Sequence, residues 1–377
     1  MKTFFTKTMP YIIIMLFYGF FATGLAENIT LDKKVRIKAI GIPLADHYAG
    51  VVAYEKYKKQ MKFADFQLLL LPGPELVRAY FYSEPDADIA FNVSPMVIDM
   101  FTETPNFRWV SLIHRDGNAL TLNSLMGTYA NLPENRISRR PDNKIANAFR
   151  KIKNATGQSV ECAVPSLLAT HTTILYKYLK DHNKTLGFRK SENADVLAVV
   201  IKPSKSSVFL KQNSARAKPA ASEQSLPWAE KPESGGYGKV GWYSRDVLKH
   251  RHGHVECIII AKDRVINQKY KALKEVIFYI HKAGQDIERA RRAEEMEFNK
   301  IINIIQKHIP NHSQDEIKQS LRADLNVINY KNLNVDEQSK ASLREIMNLA
   351  VEAGLLKQKI DINQMADERF ATDITKE

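Results

Sequence analysis

Cysteine is scarce: the 377 residues hold two, Cys162 and Cys257, and neither has the spacing of a zinc or redox motif. That excludes a small fold stapled by many disulfides. The two residues lie in apolar runs, VECAVP and VECIII, and either pair in an oxidising compartment or stay as buried thiols. Long apolar runs are missing too: past Phe21 no stretch approaches the roughly 20 residues that span a bilayer. No nucleophile elbow, P-loop, HExxH or GxGxxG fingerprint occurs, which removes the commonest signatures of hydrolases and nucleotide binders. No repeat at a fixed short period is present. Acidic excess is absent as well, with 55 Lys and Arg against 42 Asp and Glu and a net charge of +13. The positive charge is dispersed. Its densest group, Arg289 to Arg292, is followed by Glu294 and Glu295 and reads as a solvated helix face. With neither a basic tail nor a recognition motif, nucleic acid is not an expected partner.

What is present begins at the N-terminus. Lys2 and Lys7 flank a polar start, an apolar run covers Tyr11 to Phe21, and Gly24-Leu25-Ala26 closes the segment. This order predicts a signal peptide over residues 1–26, a mature chain starting near Glu27 and a working place in the periplasm. An uncleaved anchor is the rival reading. No cysteine stands at the exit, so a lipid-anchored form is not expected. The chain is 44% hydrophobic and 26% charged, and the part after the leader is long enough for a large core in two or three domains.

Strands and helices alternate after the leader. Residues 34–42, 66–71, 87–93 and 107–113 read as strands, with helices over 47–61 and 75–82 and from Met96. Ser94-Pro95 supplies an N-cap and a first-turn proline for the last of these. A second unit repeats the pattern: helix 143–154, strand 159–165, helix 170–182, strand 195–201. Residues 202–238, rich in Ser, Lys, Pro and Ala, read as a loop or insertion. Strands return at 239–244 and 254–261, and helices follow at 267–297, 298–308, 314–321 and 336–354. Strands that are apolar throughout and separated by helices imply mainly parallel sheets covered on both faces. The fold class expected is α/β with two lobes: 27–118 and 255–377 in the first, 119–254 in the second, and extra helices at the C-terminus.

In such sheets ligands sit beyond the carboxyl ends of strands, so the strand-to-helix turns carry the candidates. Pro43 to Gly50 offers His47, with Asp46 as a plain N-cap or a polar lining group. Asn92 to Pro95 offers Ser94. Pro165 to Thr173 gathers hydroxyls, Thr172 among them, with His171 at a helix start. Leu226 to Glu230 places Trp228 and Glu230 in a polar loop, where an indole can wall a pocket or plug the loop base. In Lys249-His-Arg-His-Gly-His-Val-Glu256, His252, His254 and Glu256 alternate and would share a face on a strand. Alternation alone is a weak metal signal, so no metal is assigned, and Lys249 and His254 are kept as cleft residues.

At these turns the chain resembles the periplasmic solute-binding proteins of ABC transporters for nitrate, bicarbonate, sulfonates and taurine, within the type II periplasmic-binding-protein fold. Val164-Pro165 through His171 matches the family's proline turn that ends in a helix-start histidine. Leu226-Pro227-Trp228 matches its Glu-Pro-Trp segment, with the acid displaced to Glu230. Ser244, Asp246 and Lys249 match its Ser/Thr-x-Asp-basic order, Asp116-Gly117-Asn118-Ala119-Leu120 its lobe crossing, and Ala350 to Leu356 its terminal helix end. The resemblance implies His171, Lys249 and Trp228 as ligand residues, a small-molecule solute, an ABC permease in the inner membrane as partner, a monomer and no cofactor. Asn118, at the crossing, joins the ligand set. Lys249, His171 and the basic balance point to an anionic solute, whereas Glu230 and Glu256 serve a cationic or zwitterionic one equally well. An enzyme on the same fold, related to thiamin-pyrimidine synthesis, and an envelope sensor module are the alternatives to a solute-binding protein without catalysis.

Overall fold

The computed structural model describes residues 33–373, so the signal peptide expected over 1–26 lies outside the described residues. Strand Val35–Gly41 pairs in parallel with Ala64–Leu70 on one side and Ile89–Val93 on the other. Cys257–Lys262 then runs antiparallel between Ile89–Val93 and Phe107–Leu112, which completes a five-stranded sheet. Its middle strands are buried on both faces, as their unbroken apolar runs require.

The second sheet has six strands, in the order Gly238–Tyr243, Asn118–Asn123, Ala220–Ser225, Val160–Val164, Val196–Val200 and Leu186–Gly187. Its last four strands run parallel; Asn118–Asn123 is antiparallel to both of its neighbours. The α/β class and its mainly parallel sheets agree with the sequence reading. The segment 202–238 does not: it forms helix Pro203–Ala215 and a central strand, Ala220–Ser225. That strand, AASEQS, is wholly buried yet almost free of apolar side chains, so it carries no hydrophobic signal. Asn118–Asn123, NALTLN, is also wholly buried, with apolar residues only at Ala119, Leu120 and Leu122. Ser94 is not an N-cap either. Helix Ser94–Glu103 starts on it, Val93 takes the cap position, and no side chain caps the turn.

The two crossings between sheets run side by side. Asp116 N donates to His254 O at 3.2 Å, and Arg115 bridges Val255. A third strand, Ile328–Asn329, pairs antiparallel with Arg115–Asp116, and Gly117 N donates to Val327 O at 2.9 Å. The buried Arg115 guanidinium fastens all three. Its Nε and Nη2 donate to Asn332 O at 3.0 and 2.6 Å, Nη2 also to Ser339 Oγ at 2.7 Å, and Nη1 to Gly253 O at 3.2 Å. Gly253 has φ +89°, and a Cβ there would lie 2.3 Å from Asp116 Oδ2, so both backbone sign and space require glycine.

Helix Tyr270–Ala290 buries Leu273, Val276, Ile277, Ile280 and Ile287 along one stripe. Shorter helices follow at Glu295–His308 and Gln314–Ser320, then Glu337–Glu352. Both cysteines are free and buried, Cys162 in the second sheet and Cys257 in the first. Among the described residues, no helix is long and apolar enough to cross a membrane.

Candidate binding site

Strand ends from both sheets meet in one buried polar cluster. Asp46 sits in the turn Ala45–His47 that follows Val35–Gly41. His114 lies just past Phe107–Leu112, and Glu256 just before Cys257–Lys262. From the other sheet come Asn118, first in its strand, Ser225, last in its strand, and His171, second in helix Thr170–Asp181. Asp46, His114, Asn118, Ser225 and Glu256 have 0% exposed surface and His171 has 1%. This is where α/β sheets present backbone and side chains to a ligand, at the carboxyl ends of parallel strands.

Ser225 Oγ donates to Asp46 Oδ2 at 2.7 Å and lies 2.8 Å from His171 Nε2. His171 Nδ1 is 3.3 Å from Glu256 Oε1, which also accepts from Asn118 Nδ2 at 3.2 Å. His114 Nε2 is 3.3 Å from Glu256 Oε2 and 3.8 Å from Asp46 Oδ2. Neither histidine nitrogen facing Glu256 has hydrogen-bond geometry toward it. Around the cluster further hydrogen bonds join elements of the two sheets. Ala45 N donates to Leu226 O at 2.9 Å, Ser166 Oγ to Glu75 Oε1 at 2.7 Å, and Thr170 Oγ1 to Glu256 O at 3.3 Å.

Burial sets the protonation of most of these groups. It pushes Asp46 up to about 7, with the Glu256 charge adding and His114 opposing. It lowers His47 to about 3 and His171 to about 4, and it lowers His254. Glu223, two residues before Ser225 on the same strand face, is raised well above the carboxylate range by burial and then by Glu256 and Asp46. Two groups go against burial. His114 is raised because Asp46 and Glu256 outweigh its desolvation, and Glu256 is held below the usual carboxylate range by His114 and His171. His114 Nε2 lies between these two carboxyl groups.

The structure brings five of the candidates named from sequence to this region. His171 and Asn118 belong to the cluster itself. His47 packs edge-on to Phe91 and accepts from Ile42 N at 2.7 Å through Nδ1, while its Nε2 is unpartnered. Ser94 Oγ lies 3.3 Å from Thr170 Oγ1, across the two halves. His254 Nε2 lies 3.0 Å from Ser244 Oγ and 3.5 Å from Asp116 Oδ1.

Four others lie elsewhere or face another way. Thr172 Oγ1 donates back to Ser166 O at 2.7 Å and holds its own turn. Trp228 packs edge-on to His312 at 5.3 Å, with the Lys231 ammonium 5.1 Å over its face. Glu230 accepts from Arg136 Nη1 at 2.9 Å and Tyr243 Oη at 2.7 Å. Lys249 is exposed and lines an outer groove of about 380 Å³ with Arg245, His250 and Arg292. His252 Nδ1 lies 3.0 Å from Asn332 Nδ2, away from Glu256, because Gly253 turns the chain and the strand starts only at Cys257. His114, Ser225 and Glu223 escaped the sequence reading. His114 had a signal, being the first polar residue after the strand run FRWVSLI; the other two stood in a segment read as loop.

Residues 32–303 match the model of the NMT1-like family. No curated protein matches the chain in sequence. Among solved structures, the chain is similar to the ligand-binding component of an ABC-type import system from Staphylococcus aureus, with zinc bound. The TM-score is 0.69 at 16% identity over 89% of this chain and 98% of that one. The periplasmic nitrate-binding protein NrtA of Synechocystis PCC 6803 gives 0.68 at 15% identity, over 90% and 87%. The alkanesulfonate-binding protein SsuA of Xanthomonas axonopodis pv. citri, bound to MOPS, gives 0.62 at 10% identity, over 88% and 97%.

Proposed function

We propose, from the premise that the chain belongs to the NMT1-like family, that it is a solute-binding protein whose two halves close over a small ligand and hand it to an ABC importer. The observation that carries this reading is the cluster itself. Asp46, His114 and Glu256 from one sheet and His171, Ser225 and Asn118 from the other are buried against each other. Such a site forms only when the halves come together, and hinge closure excludes water and strengthens each polar contact. The import-system component of S. aureus, the nitrate binder and the alkanesulfonate binder share the fold and support this reading. With it go a place outside the cytoplasm, lobes made of 27–118 with 255–377 and of 119–254, and a membrane permease as partner. A thermal-shift screen over nitrate, bicarbonate, taurine, alkylsulfonates, pyrimidines and divalent metals tests it, since a ligand stabilises the state it binds. A hit that also reduces the radius of gyration in solution scattering supports closure. No hit across the screen sinks the reading.

One geometry favours an enzyme as the second reading. Ser225, His171 and Glu256 stand in the order of nucleophile, base and orienting acid, at 2.8 and 3.3 Å. Against it, the Ser225 proton is given to Asp46, so His171 Nε2 must donate to Ser225, the reverse of a base. We therefore take the chain as a binder. Covalent labelling of Ser225 by a fluorophosphonate would favour the enzyme.

A further inference from the structure

Building on the solute-binding reading, we infer that the solute of the buried cluster is a divalent transition-metal cation, held by Asp46, His114, Glu256 and Cys257. One donor atom from each of these residues lies within 4.8 Å of the others, and all four residues are buried. Around a tetrahedral ion with bonds of about 2.0–2.3 Å, donors stand about 3.3–3.8 Å apart. Small side-chain rotations close the difference.

Unpartnered atoms supply the second observation. Asp46 Oδ1, Glu256 Oε2 and both ring nitrogens of His114 are buried with no hydrogen-bond partner. Buried polar atoms in native proteins are almost always paired, so a group of such atoms converging on one point calls for a ligand. His171 adds to this. With the Ser225 proton on Asp46, His171 donates from Nε2, and its Nδ1 lone pair faces Glu256 Oε1 at 3.3 Å. Two acceptors facing each other are reconciled by a positive centre beside them.

The kind of ion follows from the donors. One imidazole, two carboxylates and one thiol suit zinc and its neighbours, whereas magnesium and calcium take oxygen ligands and water. An anion, the solute expected from the basic balance, would meet Asp46, Glu256 and Glu223. The groups acting most strongly on those three are His114, His171, Ser225, Cys257 and one another, with no lysine or arginine among them. Lys249, the cation expected at the anion, is on the outer surface. Ligand orientation is also provided for: Ser225 holds Asp46 at 2.7 Å and Asn118 holds Glu256 at 3.2 Å, as outer-layer partners do in metal sites.

The test titrates cobalt(II) chloride into chelator-stripped full-length protein and follows visible absorption, with zinc chloride as competitor. The expected result is one equivalent bound, with the intense bands of four-coordinate cobalt and a thiolate charge-transfer band that Cys257→Ser abolishes. His114→Ala and the isosteric Asp46→Asn should each weaken binding at least about tenfold, and His252→Ala should leave it unchanged. Circular dichroism reports whether each variant folds, and Asp46→Asn decides if His114→Ala does not. Absence of bound cobalt and zinc, or binding that Asp46→Asn leaves untouched, overturns the assignment. If metals fail while an anion or organic solute raises the melting temperature and compacts the protein, the metal assignment falls and solute binding stands. If nothing in the screen binds, both fall.

Discussion

Ser225 and Asp46 stand 179 positions apart in the chain and on different sheets, and the hydroxyl of one donates to the carboxylate of the other at 2.7 Å. This bond is the shortest link between the halves at the centre of the cluster. It also decides which way His171 points its remaining proton.

Ser225→Ala should lower the unfolding free energy by about 1–3 kcal/mol, because it leaves Asp46 Oδ2 and His171 Nε2 buried without a partner. Solution scattering of the ligand-free variant should show a larger radius of gyration than the parent. Unchanged stability in denaturant melts would mean that the bond does not hold the halves.

The buried histidines should make part of the protein's stability depend on pH before carboxylates in general titrate. His47, His171, His281 and His312 are buried and sit at about 3, 4, 3 and 4 against an ordinary 6.5. Between about pH 4 and 6.5 the unfolded chain binds protons on these four imidazoles that the folded chain refuses, so their contribution is lost as pH falls. Asp46 works the other way. Its folded value of about 7 lies above the ordinary 3.8, so its contribution is present at low pH and lost as pH rises through 7. His254 joins these four, while His114, Asp116, Glu223 and Glu230, all raised, side with Asp46, so the two sets oppose each other. His281, whose value is set by burial alone, isolates the histidine contribution, and each net proton is worth about 1.4 kcal/mol per pH unit. Urea midpoints of the parent should fall relative to those of His281→Gln between pH 7 and 5, and a difference that does not change with pH would sink the assignment of a neutral buried His281.

Trp228→Ala should behave as a core truncation. The indole is 8% exposed, edge-on to His312, whose Nδ1 lies 2.8 Å from the Tyr48 hydroxyl. We expect a stability loss of about 3–5 kcal/mol with solute affinity near that of the parent once the variant is folded. Lost affinity with an unchanged melting curve would return Trp228 to the binding site.

How much could be read in advance follows from what each residue shows before folding. Runs such as IAFNV and CIIIA announce buried strands because both faces are apolar. NALTLN and AASEQS do not, since their burial is made possible by cross-strand and cluster partners supplied from elsewhere. His171 was legible from its place after a buried strand and a proline turn. Trp228 stood in an equally suggestive turn, but its direction is set by His312, far along the chain. His252 and His254 looked alike in sequence, and one glycine between them sends one outward and the other inward. Asp46 was legible as a plain N-cap or a polar lining group, and Ser225 on another sheet makes it part of the cluster.

The third crossing strand has a consequence for the order of assembly. Besides Gly253, Arg115 takes its side-chain partners from Asn332 and Ser339, and Gly117 N bonds Val327, three residues synthesised after both sheets' strands exist. A nascent chain with every strand of both sheets complete at Lys262 still lacks the splint across the crossings. The bonds between the sheets exist by then, but the splint that braces their crossings is a late acquisition, delivered by the final fifth of the polypeptide. Truncation within that tail would be felt at the cluster without removing any residue of it.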